Sequence, residues 1–186
     1  MFWLFLGVLI WTLAHLFPSV MVAKRNELNQ SLGSQYQGIF AGIIVLSLIL
    51  IVVGWRSAAP EAVYNPPSWG RHLNMLFMLV VIILFAISHG KSRLKQYIRH
   101  PMLTAVHIWA LGHLLANGDN RSVVLFGGML IWSALNIWFI NQRDGAWEKP
   151  SEIASTQAEL KTLGISVAVY IVLALLHPWF AGVPVA

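Results

Sequence analysis

A chain of 186 residues that is 58% hydrophobic and 10% charged, with apolar runs near the length that crosses about 30 Å of hydrocarbon, reads as an integral membrane protein of one domain over 1–186. It contains no cysteine, which excludes disulfides, iron–sulfur clusters, thiolate-ligated haem and cysteine zinc sites, so a metal must be held by histidine, carboxylate or carbonyl. The formal charge of +5 first signals orientation in the bilayer, and with no basic soluble domain nucleic-acid binding is not expected.

The first apolar segment runs from about Phe2 to Met21 and carries His15 and Pro18. No basic residue precedes it and no small-residue cleavage site follows, so it is expected to be kept as a helix rather than removed as a signal. Lys24 and Arg25 then open a polar loop reaching Gln35. The second segment, about Tyr36 to Trp55, is rich in Ile, Leu and Val, with Gly38, Gly42 and Gly54 at expected helix contacts. Pro60, Pro66 and Pro67 break the linker from Arg56 to Trp69, where Tyr64 and Trp69, with nearby Trp55, suit the membrane interface.

The third segment, about Gly70 to Ser88, is bracketed by His72 and His89 and followed by a basic loop with Lys91, Arg93, Lys95 and Arg99. Pro101 suits the first turn of the fourth helix, because its missing N–H is one of the unpaired donors there; Arg99 and His100 thus sit at the helix mouth, and Asn117, Gly118 and Asp119 end it. The fifth segment, about Ser122 to Ile140, carries Ser133 and Asn136 as expected interhelical hydrogen-bonders. In the polar stretch Asn141 to Lys161 a short surface helix is expected over Ser151 to Lys161, and a sixth segment, about Thr162 to Trp179, ends near His177 and Pro178. The fold class is therefore all-α, a polytopic bundle of about six transmembrane helices, with no convincing internal repeat.

Lys and Arg set the orientation. Nine of the twelve fall in the loops between segments one and two, three and four, and five and six, against Arg56, Arg71 and Arg121 on the other side. Both termini are then expected outside the cytoplasm. His72, His113 and His177 lie toward that outer side, and His15, His89, His100 and His107 toward the cytoplasm.

The fourth segment concentrates the chemistry. His100 and His113 are thirteen residues apart, about 20 Å of rise and about 220° of rotation, so one metal cannot take both. His113 shares its face with Trp109 and Asn117, and Ala110, Gly112 and Ala116 leave room for another helix or a flat cofactor. His72, His89 and His107 read most simply as interfacial or hydrogen-bonded residues. His15 and His113 lie inside their apolar segments with no intrahelical carboxylate, which makes them the functional candidates, and His177 falls between. The acids Glu61, Asp119, Asp144 and Glu148 all lie in expected loops, so a carboxylate-rich metal site is not supported. Two neutral imidazoles from different helices would suit the axial faces of haem iron, with Trp11 and Trp109 as possible pocket walls.

At these residues the chain resembles the NnrU family of bacterial membrane proteins and, more distantly, the zeta-carotene isomerases of plants and cyanobacteria. The resemblance rests on H-L-F-P-S from His15, R-H-P-M-L from Arg99, G-H-L-L-A-N-G-D from Gly112, L-F-G-G from Leu125 and L-H-P-W from Leu176. It implies a bacterial inner-membrane protein linked to denitrification and nitric-oxide metabolism, or to haem-dependent isomerisation of a double bond, with a hydrophobic or gaseous small molecule as ligand. It also implies haem b between His15 and His113. The isomerases carry a cysteine shortly before the second ligand, where this sequence has Ala110. On height, from the segment boundaries, His15 and His113 differ by about 10 Å, so His113 with His177 or His72 remains the alternative pair. Arg99 and His100 are expected to hold a haem propionate or another anionic group.

Two other function classes stand beside this one. The R-H-P at a helix start also resembles membrane methyltransferases that use S-adenosylmethionine, with Arg143, Asp144 and Glu148 as a loose match to their acidic pair and arginine. The other is a non-enzymatic assembly factor for a respiratory complex. Neither substrate nor protein partner is legible in the sequence.

Overall fold

Apolar runs bounded by glycine, proline and capping residues fold into seven α-helices among the described residues of a computed structural model, which describes residues 1–182. Two compact units form, the first from Met1–Asn65 with Gly118–Gly145 and the second from Pro66–Asn117 with Ala146–Ala186.

In the first unit the leading apolar segment is α1 (Phe2–Val20) and the aliphatic run is α3 (Ser34–Ser57). Between them, in place of the expected polar loop, Val22–Leu32 forms α2. It holds no proline or glycine until Gly33, whose positive φ of 55° ends it, and Lys24 pairs with Glu27 one turn on at 2.8 Å. The unit is completed by α6 (Asn120–Asp144).

Helix α1 is the middle element, packed against both α3 and α6. Its contact with α3 is backbone-close: a Cβ at Gly54 would run into the backbone of Leu4. Gly38 and Gly42, also expected at contacts, face open space. Against α6, the Ser19 hydroxyl donates to Asn136 Oδ1 at 3.4 Å, as expected of Asn136, while Ser133 donates to its own helix at the Leu130 carbonyl.

The second unit contains α4 (Gly70–His89), a 3-10 turn (Arg93–Gln96), α5 (Pro101–Ala116) and α7 (Thr156–Ala181). Here α4 is the middle helix, packed against α5 and α7. Val81, Leu84, Ile87 and Ala105 form its core, with Ile108 and Trp109 laid against them. The separate surface helix expected over Ser151 to Lys161 does not form. Ser155 caps α7 by accepting from Ala158 N at 3.2 Å, so Thr156 to Lys161 become its first turns and Ser151–Ser155 stay outside the helix. Glu159 on α7 then accepts from Arg93 N at 2.6 Å and from the Ser92 hydroxyl at 3.2 Å, tying the basic loop down.

Five helices, α1, α3, α4, α6 and α7, are long and apolar enough to cross a membrane. The sixth expected span, α5, has 16 residues. Aliphatic side chains stay exposed along α3 and α7, among them Val45, Ile49, Val52, Ile171 and Leu175. Such surfaces belong against lipid rather than water, and the chain is a multi-pass membrane protein.

Candidate functional site

His15 sits half-buried on α1, three residues before the helix-internal Pro18. Its Nδ1 lies 2.9 Å from the Trp11 carbonyl one turn back. A carbonyl only accepts, so Nδ1 carries the proton and the lone pair is on Nε2. Aromatic rings surround the imidazole: Trp11 at 4.2 Å between centroids, Trp132 of α6 at 5.2 Å and Phe40 of α3 at 5.6 Å. Within this cluster the buried indole N–H groups of Trp11 and Trp132 have no hydrogen-bond partner among the described residues.

His113 is built by the same local rule on α5. Its Nδ1 lies 2.8 Å from the Trp109 carbonyl, which again leaves the lone pair on Nε2, and the Trp109 ring is 5.2 Å away. Asn117, which ends α5, donates from Nδ2 to the His113 carbonyl at 3.0 Å. The small residues beside His113 admit a helix: Gly112 is pressed against Asn74 of α4, and Ala110 is fully buried. The buried Asn74 Oδ1 has no hydrogen-bond partner among the described residues. His177 of α7 stands within electrostatic range of His113, while His72 is exposed in the first turn of α4.

Residues 11–16 and 109–114 share the pattern Trp, any residue, Leu, Ala or Gly, His, Leu. This short match is what gives the two histidines one local geometry. It was available in the sequence, as was the lone amide of Asn74 inside an apolar helix. The roles of Trp132 and Phe40 were not, because they reach His15 from other helices.

Arg99 and His100 occupy the other end of α5 from His113. With Lys95, Trp147 and Pro150 they line an open cavity of about 330 Å³. Among the described residues no three His, Asp or Glu side chains gather to hold a metal ion.

The family model described as NnrU protein matches residues 3–185. The chain belongs to the NnrU family. No curated protein and no solved structure matches it. In this NnrU chain the shared motifs divide between imidazole placement and helix ends. Gly118 accepts at its carbonyl from Val63 N and Tyr64 N at 2.8 and 3.1 Å, and Asn120 N donates to the Glu61 carbonyl at 2.9 Å. Asp119 caps α6, accepting from Arg121 N and Ser122 N at 3.0 and 3.1 Å and from the Ser122 hydroxyl at 2.6 Å. Burial pushes the Asp119 carboxyl up, but the hydrogen bonds from Ser122 and the charge of Arg121 outweigh it and hold the group below its ordinary value. The Asn-Gly-Asp part of the motif is thus a structural clamp between two loops.

Proposed function

We propose that this NnrU protein binds haem b, with His15 and His113 as the axial ligands. The observation that carries the reading is the Nδ1 hydrogen bond each makes to the carbonyl one turn earlier. It fixes the tautomer with Nε2 as the donor atom, orients the ring and raises its basicity, as outer partners do for metal-bound histidines. The residues present fit the group. A bare ion would lack ligands, whereas a porphyrin brings its own equatorial nitrogens and needs only axial imidazole. Trp11, Phe40 and Trp132 offer aromatic faces to a macrocycle at His15, and the two unpartnered indole N–H groups are donors for an acceptor beside it. At His113, Trp109 and Asn117 hold the ligand, and His177, with His72 behind it, is the reserve.

When bound between two histidines, haem would supply one-electron chemistry. On the family resemblance we propose a role in nitric-oxide metabolism in denitrification, with haem-dependent double-bond isomerisation as the alternative, and a gaseous or hydrophobic molecule as ligand. Because Ala110 replaces the isomerase cysteine and is fully buried, no thiolate is available for exchange. The methyltransferase reading loses support at Arg143, whose guanidinium is taken up by the adjacent Asp144 at 2.6 and 3.1 Å. Arg99 and His100 lie about 20 Å along α5 from His113 at 1.5 Å per residue, so we assign them not to a cofactor there but to an anion of their own.

The absorption spectrum of protein purified from haem-supplemented cells tests the reading. A reducible low-spin haem b spectrum is expected; its absence overturns the proposal and leaves the assembly-factor class. We place the protein in the bacterial inner membrane with both termini outside the cytoplasm. Reporters fused after Ala186 should be active outside and reporters near Lys95 inside, and the reverse pattern would overturn the orientation.

A further inference from the structure

We propose that the cavity at the mouth of α5 is a binding site for the phosphate headgroup of an anionic phospholipid. The cavity, about 330 Å³, lies between the end of α4 at Ser88, the start of α5 and the segment at Trp147 and Pro150. Its cationic side chains are Lys95 and Arg99, with the His100 imidazole beside them, and among the described residues that line it there is no carboxylate. Nearby, Lys91 pairs with Glu152 at 2.5 Å, and Arg93 donates to the Ala154 carbonyl and to Thr156. Lys95 is held over the cavity by donation to the Ser88 carbonyl at 3.0 Å, a neutral partner that leaves its charge uncompensated.

The remaining lining, with Ile98, Met102 and Leu103, is apolar. A charged end beside an apolar wall suits a lipid, whose phosphate takes a bidentate arginine and whose chain lies along hydrocarbon. Free phosphate would gain nothing from that wall. The depth also agrees. Lys149 stands 5.9 Å from the rings of both Tyr97 and Trp147, and Tyr97 is 78% exposed, the aromatic and cationic signature of headgroup level. The cavity therefore opens where two apolar helices end, at the height of lipid phosphates.

The test is lipid retention by native mass spectrometry, with haem occupancy read on the same samples. Protein is reconstituted in nanodiscs of phosphatidylcholine containing phosphatidylglycerol, then released into detergent. Wild type should retain one phosphatidylglycerol, and the double variant Arg99→Gln with His100→Gln should retain at least tenfold less. The double variant Lys24→Gln with Arg25→Gln, which removes at least as much positive charge from the exposed α2, should match wild type, and Arg99→Lys, which keeps the charge, should retain more than the Arg99 and His100 double variant. Equal loss in both double variants would show general surface charge and overturn the site. Displacement of the lipid by millimolar inorganic phosphate would reassign the cavity to a free anion. Loss of haem with lipid retained in the Arg99 and His100 variant would reassign the pair to a propionate.

Discussion

The two histidine sites share a local rule and differ in everything around it. His15 lies on α1, the middle helix of its unit, and receives aromatic rings from α3 and α6. His113 lies on α5, which is an outer helix of its unit with α4 in the middle, and beside it stand the Trp109 ring and Asn117 of its own helix, with Gly112 next in sequence and His177 of α7 within electrostatic range. Six residues of sequence are enough to set an imidazole's tautomer, but the walls of its pocket are set by which helices pack beside it. The same difference explains why the short sequence match does not extend to the units, whose middle helices do not correspond.

The largest expected effect separates the two sites as ligands. His15→Ala and His113→Ala should each abolish the low-spin haem spectrum, while His107→Ala, on another face of α5, should keep it. Loss with His113→Ala and His177→Ala but retention with His15→Ala would show that the second unit holds the iron through its own pair.

Helix contacts come next. Gly54→Leu forces a side chain onto the Leu4 backbone and should cost about 3 kcal/mol or more in denaturant unfolding, whereas Gly112→Ala meets the movable amide of Asn74 and should cost about 1 kcal/mol. Asp119→Ala removes the α6 cap and should cost about 1 to 2 kcal/mol. Because the Asp119 carboxyl is held below its unfolded value of about 3.9, its stabilisation is complete above that pH and is lost as pH falls through the lower folded value. Wild type should therefore lose stability below about pH 4 by an amount missing in Asp119→Ala. The smallest effect is expected for Trp132→Phe, which keeps the ring and deletes an N–H without a protein partner: stability within about 0.5 kcal/mol of wild type, and a several-fold loss of haem retention.

The apolar runs made the spans legible in the sequence because length and hydropathy alone decide them. Pro101 at the first turn of α5 and the Asn117 to Asp119 break were readable for the same reason, since both act through the backbone of neighbouring residues. Polar segments were harder. The helix α2 buries no residue, so no periodic pattern marked it, and the start of α7 depended on Ser155 acting as a cap. At the site, the partners one turn from each histidine followed from spacing. Those brought by other helices, Phe40, Trp132 and Asn74, did not.

The 16 residues of α5 give it a length of about 24 Å, roughly 6 Å less than the usual hydrocarbon thickness. Neither end can be extended, since Pro101 closes one and Asn117 the other. If α5 crosses the bilayer as the sequence expects, the mismatch is met by thinning of the lipid beside it, at a fraction of a kcal/mol for each ångström. Lengthening the acyl chains of a host membrane should then strain α5 before the five longer apolar helices.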